Sequence, residues 1–237
     1  MAPRPILVLQ HVEWERAAIV GTVFDTEAMA WSSRILVDSA EPDSMPSLDA
    51  LGGILIMGGP MGALDFAEFP GIGLEAELVR LAFDNEVPLF GICLGHQIIA
   101  TALGARLHPG AASEVGIGEV EVVTDDGVFG NVGTLQPVLH WHHDVVEAPN
   151  GAKILAKTAQ TPNQAFRIGN SVFATQFHLE VDRPMLDTWL AVPDMAADLD
   201  AATRATIEQD FDAAASSMRA LATRAATDFA AVVRERD

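Results

Sequence analysis

The sequence has 237 residues, 49% of them hydrophobic, which is enough apolar material for one large α/β core. Its 14 Lys and Arg against 33 Asp and Glu give a formal net charge of −19, which repels phosphate backbones and anionic lipid and argues against nucleic acid or a membrane surface as partner. No apolar run approaches the ~20 residues of a membrane span, and no basic stretch leads into a signal-peptide core, so a cytoplasmic chain is expected.

Ile6 to Leu9 is a short continuous apolar run of the kind that forms a parallel strand buried on both faces, and Arg34 to Val37 and Gly53 to Met57 repeat it. Between them, Glu15 to Thr22 and Ser47 to Leu51 are compatible with short helices. A stronger helix is expected from Gly73 to Asn85, with Leu74, Leu78 and Leu81 on one stripe. Pro88 to Ile92 makes a fourth buried strand, and Leu94 to Leu103 reads as a helix ending near Gly104. This alternation predicts a doubly wound, mostly parallel sheet with helices on both faces. From Arg106 to Gln176 the texture changes to short β-type runs, Gly118 to Val123, Val138 to Trp141, Lys153 to Lys157, Ala165 to Ile168 and Ser171 to Gln176, a smaller antiparallel region. Residues 1–192 are expected to form one domain, and 193–237 a helical extension. Ile207, Phe211, Ala214, Met218, Leu221, Ala225, Phe229 and Val232 recur there at steps of three or four, a stripe suited to packing on the domain or to a homodimer contact.

Three short segments carry chemistry. Gly91-Ile92-Cys93-Leu94-Gly95 places the sole cysteine at a strand-to-helix junction, with glycines two before and two after it. A tight turn there needs neighbours without Cβ atoms, and the helix N-terminus favours a thiolate. The alternative is an inert buried thiol, since a lone cysteine forms neither an internal disulfide nor a multi-cysteine metal site. Gly58-Gly59-Pro60-Met61-Gly62 follows a buried strand, at the same sheet edge, where the Gly59 N–H and the Leu94 N–H would serve as an oxyanion hole. Phosphate cradling fits less well, because no lysine lies nearby. The third segment runs from Ala174 to Glu180. Residues two apart on an extended chain share a face, so Glu180 can orient His178 toward the thiol as the base of a triad.

Together, in this order and spacing over Ile6 to Trp189, the three segments resemble those of the class I glutamine amidotransferases. The resemblance implies a flavodoxin-like fold, with Cys93 as nucleophile, His178 as acid and base, and Glu180 as orienter. It also implies substrate contacts from Gly58, Met61 and Gln97, and from Trp141, His143 and Asp144 in the segment that holds the amino-acid end of glutamine, with no metal or organic cofactor. Leu179 stands where the family usually has proline, and Gly62 where serine is frequent. The stretch after Val192 is too short to bury a second core, so an ammonia acceptor would be a separate synthase chain. His140, His142, His143 and Asp144 invite a metal reading, but on a strand only His140 and His142 share a face, so no metal is expected.

The leading expectation is hydrolysis of glutamine through a Cys93 thioester. A second keeps the triad and changes the substrate to another γ-glutamyl compound, with no acceptor. A third is a non-catalytic protein that binds glutamine or a partner.

Overall fold

A computed structural model describes residues 4–37 and 45–236. Nine strands form one sheet, in which β1 (Ile6–Gln10), β2 (Trp31–Ile35), β3 (Gly53–Ile56), β4 (Leu89–Ile92) and β11 (Val172–Thr175) run parallel in the order β2-β1-β3-β4-β11. This is the flavodoxin-like order, with its reversal between β1 and β3. The antiparallel strands β10 (Ala165–Ile168), β9 (Lys153–Lys157), β6 (Glu114–Val122) and β7 (Leu135–His142) extend the same sheet beyond β11. Only β5 (Leu107–His108) and β8 (Val145–Val146) stand apart, as a two-stranded pair among the described residues.

Side-chain alternation along the parallel strands divides the core into two layers. Ile6, Val8, Leu55, Met57 and Phe90 face α1 (Ala18–Thr26) and α6 (Ala201–Glu235). Leu7, Leu9, Ile54, Ile56 and Leu89 face α2 (Pro70–Asp84) and α3 (Leu94–Ala102). The C-terminal helix thus lies against the sheet: the Phe229 ring sits 5.6 Å from Phe90 and 6.1 Å from Phe24, and Arg167 holds Asp228 at 2.8 Å. Ile207, Phe211 and Met218 enter a third cluster with Trp189 of α4 (Arg183–Ala191). Among the described residues, no helix is long and apolar enough to cross a membrane.

Several element boundaries differ from the sequence reading. The second strand starts at Trp31 and is largely exposed, because it forms the edge of the sheet and has one neighbour only. The first helix begins at Ala18, which leaves Glu15 in the loop after β1, and Ser47 to Leu51 contains only a 3-10 turn, Leu48–Ala50. On α2 the buried stripe runs through Glu75, Leu78 and Val79, while Leu81 is exposed. Periodicity alone passes over Glu75 because a carboxylate is a poor core residue unless something pairs with it.

Candidate active site

β4 ends at Ile92, and Cys93 is the N-cap of α3 with φ 52° and ψ −104°. Positive φ at a non-glycine residue is strained, and the surrounding backbone holds it: the Cys93 N–H donates to the Thr175 carbonyl at 2.8 Å, and the Gly95 N–H to the Met57 carbonyl at 3.1 Å. Both flanking glycines are sterically required. A Cβ at Gly91 would meet the Gly95 carbonyl oxygen at 2.6 Å, and one at Gly95 would run into the Ile56 carbonyl. Leu94, as the first helical residue, has no intrahelical acceptor for its N–H.

His178 follows β11. Its N–H donates to the Leu139 carbonyl at 2.8 Å, and its Nδ1 lies 2.8 Å from Glu180 Oε1. Trp189 stands edge-on to the imidazole with ring centroids 4.8 Å apart, which fixes the ring plane. Burial by itself would lower the pKa of His178. The charges of Glu180 and Cys93, and hydrogen bonds to both, outweigh it and hold the imidazole well above its usual value. Sulfur and imidazole therefore sit as partners, with the carboxylate behind the ring. The sulfur also lies 3.7 Å from Gln176 Nε2 and 3.9 Å from the Trp141 carbonyl.

These groups open on a cleft of about 450 Å³ lined by Cys93, His178, Gly59, Leu94, Met61 and Gln97, with Trp141, His143 and Asp144 on the facing wall. The sites named from the sequence converge here, although Gly58 and Glu180 stand behind the lining. Gln97 is turned to Gln176, donating from Nε2 to Oε1 at 3.1 Å, and Asp144 accepts from the Gly110 N–H at 2.8 Å.

Three charged residues near the cleft carried no motif. His11, in the loop after β1, places Nδ1 2.8 Å from the Gly58 carbonyl and Nε2 3.0 Å from Glu75 Oε2. One imidazole donates to two acceptors only when protonated, and the pKa of His11 is raised accordingly: Glu75 and the Gly58 carbonyl overcome the opposing effect of burial. Glu15 lines the cleft with 2% exposure, and a Cβ on Gly58 would strike its Oε2 and come within 2.9 Å of His178 Cε1. Burial, reinforced by the charge of Glu180, pushes the Glu15 carboxyl up to about 7 against the pull of His178 and His11. In the sequence only His11 carried a signal, a polar residue just after the predicted strand Ile6 to Leu9, whereas Glu15 and Glu75 fell inside segments read as helices.

Glu114, His140 and His142 form the one group among the described residues whose donor atoms, all within 4.8 Å of one another, could hold a metal ion. The two imidazoles converge as their shared strand face implies, and Glu114 reaches them from β6. Its Oε2 also accepts from Thr161 at 2.6 Å and from Gln164 at 2.8 Å, and His142 Nδ1 lies 3.1 Å from the Asp144 carbonyl. The group is tied into a hydrogen-bonded wall of the cleft.

A family model described as glutamine amidotransferase class-I matches residues 28–188. A glutamine-hydrolyzing GMP synthase of Aeropyrum pernix is 32% identical over 159 residues, covering 62% of this chain and 30% of that one. One subunit of the glutamine-hydrolyzing GMP synthase of Sulfolobus acidocaldarius is 33% identical over 143 residues, 59% of this chain and 73% of the relative. This chain therefore spans under a third of the first relative's length. The crystal structure of a glutamine amidotransferase from Thermotoga maritima superposes with a TM-score of 0.84 at 24% identity, covering 97% of this chain and 99% of that one, a likeness of fold.

Proposed function

Since this chain belongs to the class I glutamine amidotransferases, we propose that it hydrolyses the side-chain amide of glutamine through a thioester on Cys93. The observation that carries this reading is the convergence on one cleft of a strained, helix-capping thiol and the His178 imidazole, which Glu180 holds from behind at 2.8 Å. In this mechanism the thiolate attacks the carboxamide carbon, and the Gly59 and Leu94 N–H groups receive the charge that develops on oxygen. His178 gives its proton to the departing nitrogen, then draws one from the water that cleaves the thioester. Glu180 stays ionised and fixes the ring orientation. Met61 and Gln97, with the Trp141, His143 and Asp144 wall, hold the amino-acid end of the substrate, and Gly58 supports the oxyanion turn.

Both curated relatives are named as glutamine-hydrolyzing, and the second is named as one subunit of its enzyme. We extend this to an acceptor on a separate chain, a synthase partner to which the ammonia passes. Exposing wild type and Cys93→Ala to an electrophilic glutamine analogue, and locating the adduct by mass spectrometry, tests the reading together with glutamate release from glutamine. One adduct on Cys93 and Cys93-dependent glutamate release are expected. Labelling elsewhere with no glutamate formed would overturn it.

A further inference from the structure

One cluster beside the cleft takes no part in the proposed reaction. Glu114, His140 and His142 present donor atoms within 4.8 Å of one another. The third donor, which the local strand lacks, comes from across the sheet: β6 pairs with β7 so that Glu114 stands opposite His142 and Gly116 opposite His140. His142 Nδ1 lies 3.1 Å from the Asp144 carbonyl, which can only accept, so Nδ1 carries the proton and Nε2 of the neutral ring presents a lone pair. That lone pair faces Glu114 Oε2 at 3.2 Å. Gln164 Nε2 donates to the carboxylate at 2.8 Å but stands 3.5 Å from the ring nitrogen, too far for a firm hydrogen bond. Two acceptors held this close repel unless a proton or a metal ion lies between them.

His140 decides between the two. It is 4% exposed, and its Nδ1 has no hydrogen-bond partner. The Cδ2–Nε2 edge of the ring lies over Gly118, where a Cβ would come within 2.9 Å of Cδ2 and 3.1 Å of Nε2, and Nδ1 is on the opposite edge. A proton on His142 leaves that buried nitrogen unsatisfied, which is costly, whereas a metal ion takes a lone pair from all three residues. The dimensions agree. Tetrahedral zinc, with bonds of about 2.0–2.2 Å to nitrogen and oxygen, spaces its ligand atoms by roughly 3.3 Å. Glu114 and His142 already have that spacing, and a rotation of the His140 ring closes the remaining gap. The supports that hold metal ligands in place are present as well: the Asp144 carbonyl fixes the His142 ring, and Thr161 at 2.6 Å and Gln164 at 2.8 Å orient the Glu114 carboxylate.

We propose that Glu114, His140 and His142 bind a divalent transition-metal ion, with Zn²⁺ as the ion the geometry fits, and that this ion clamps β7 to β6. An ion that keeps several open positions, such as iron, fits less well, because the His142 and Glu114 side chains are 1% and 9% exposed and leave little room for further ligands. Access is from the cleft, which His142 and Ser113 line. The role of the ion is positional. β7 is the last strand of the sheet, and its end carries Trp141 into the cleft wall, with His143 and Asp144 directly after it.

The test uses the full chain carrying Cys93→Ala, which removes the thiol as a competing zinc ligand, after dialysis against a chelator. Titration with Zn²⁺ alone, in competition with a chromophoric chelator, is expected to give one ion per chain and a higher Tm. Co²⁺ in its place should give the visible bands of a tetrahedral nitrogen and oxygen site. Adding Glu114→Gln or His140→Gln should weaken Zn²⁺ binding by more than about 100-fold, beyond the roughly 10–100-fold lost with a hydrogen bond behind a ligand, and Thr161→Val should cost that smaller factor. If a ligand variant does not fold, the Co²⁺ spectrum of the parent and the affinity of Thr161→Val still decide. A stoichiometry well below one, an octahedral Co²⁺ spectrum, or affinity unchanged by these substitutions would overturn the inference. None of these outcomes bears on amide hydrolysis, which the glutamine analogue tests separately.

Discussion

His11 Nε2 lies 3.0 Å from Glu75 Oε2, with both side chains fully buried, and the same imidazole reaches the Gly58 carbonyl through Nδ1 at 2.8 Å. The pair links the loop after β1 to α2 and fixes the glycine turn between them. Replacing one partner leaves the other as an uncompensated buried charge, so His11→Ala and Glu75→Leu should each destabilise the fold by about 3–5 kcal/mol in urea unfolding. In the proposed mechanism, a loosened Gly58–Gly59 turn misplaces an oxyanion donor. In conditions where the variants remain folded, kcat should therefore drop by up to about 10²-fold, more than KM changes. Stability or kcat equal to wild type would show that the pair does not hold the turn.

Glu180→Gln keeps the shape behind His178 and removes the charge that raises the imidazole pKa. Both Cys93 alkylation at neutral pH and glutamate release should fall. The expected loss in kcat is on the order of 10³–10⁴-fold, in line with other triads that lose the orienting carboxylate. Alkylation kinetics across pH, alongside turnover, would check this.

Glu15 has a folded pKa of about 7, above the ordinary carboxylate value of 4.5. Between those values the folded protein binds more protons at this site than the unfolded chain, so this group's contribution to stability declines as pH rises through the window. From pH 5.5 to pH 8 the wild type should lose about 2 kcal/mol that Glu15→Gln does not, measured by denaturant unfolding at both pH values.

Burial holds His96 at about 3, below its ordinary 6.5, so it stays neutral in the fold. The unfolded chain takes up the proton first, and stability is lost as pH falls from about 6.5 toward 3. His96→Phe, beside the Phe166 ring at 5.1 Å, should reduce the loss between pH 7 and pH 5 by about 2 kcal/mol in paired unfolding curves.

Much of the parallel sheet and the proposed triad of Cys93, His178 and Glu180 can be picked out in the linear chain, because each depends on local physics. Ile6 to Leu9 and Gly53 to Ile56 are apolar runs that no exposed strand would carry, and Gly91 and Gly95 are demanded by the backbone contacts of a tight elbow. His178 and Glu180 are two residues apart, so their pairing needed only an extended chain. The folded chain decided whatever depends on neighbours distant in sequence. Strand Trp31–Ile35 is exposed because it lies at an edge, and position in a sheet is not a local property. Glu75 is buried because His11, 64 positions earlier, supplies its counter-charge. Glu15 gained its place beside His178, and Asp194 and Asp198 theirs in the lining of the cleft, when loops from opposite ends of the chain met at the carboxyl edge of the sheet. Periodicity and motif report the conformational preference of a few adjacent residues, whereas the cost of burying a charge is set by which distant groups surround it once the chain has closed.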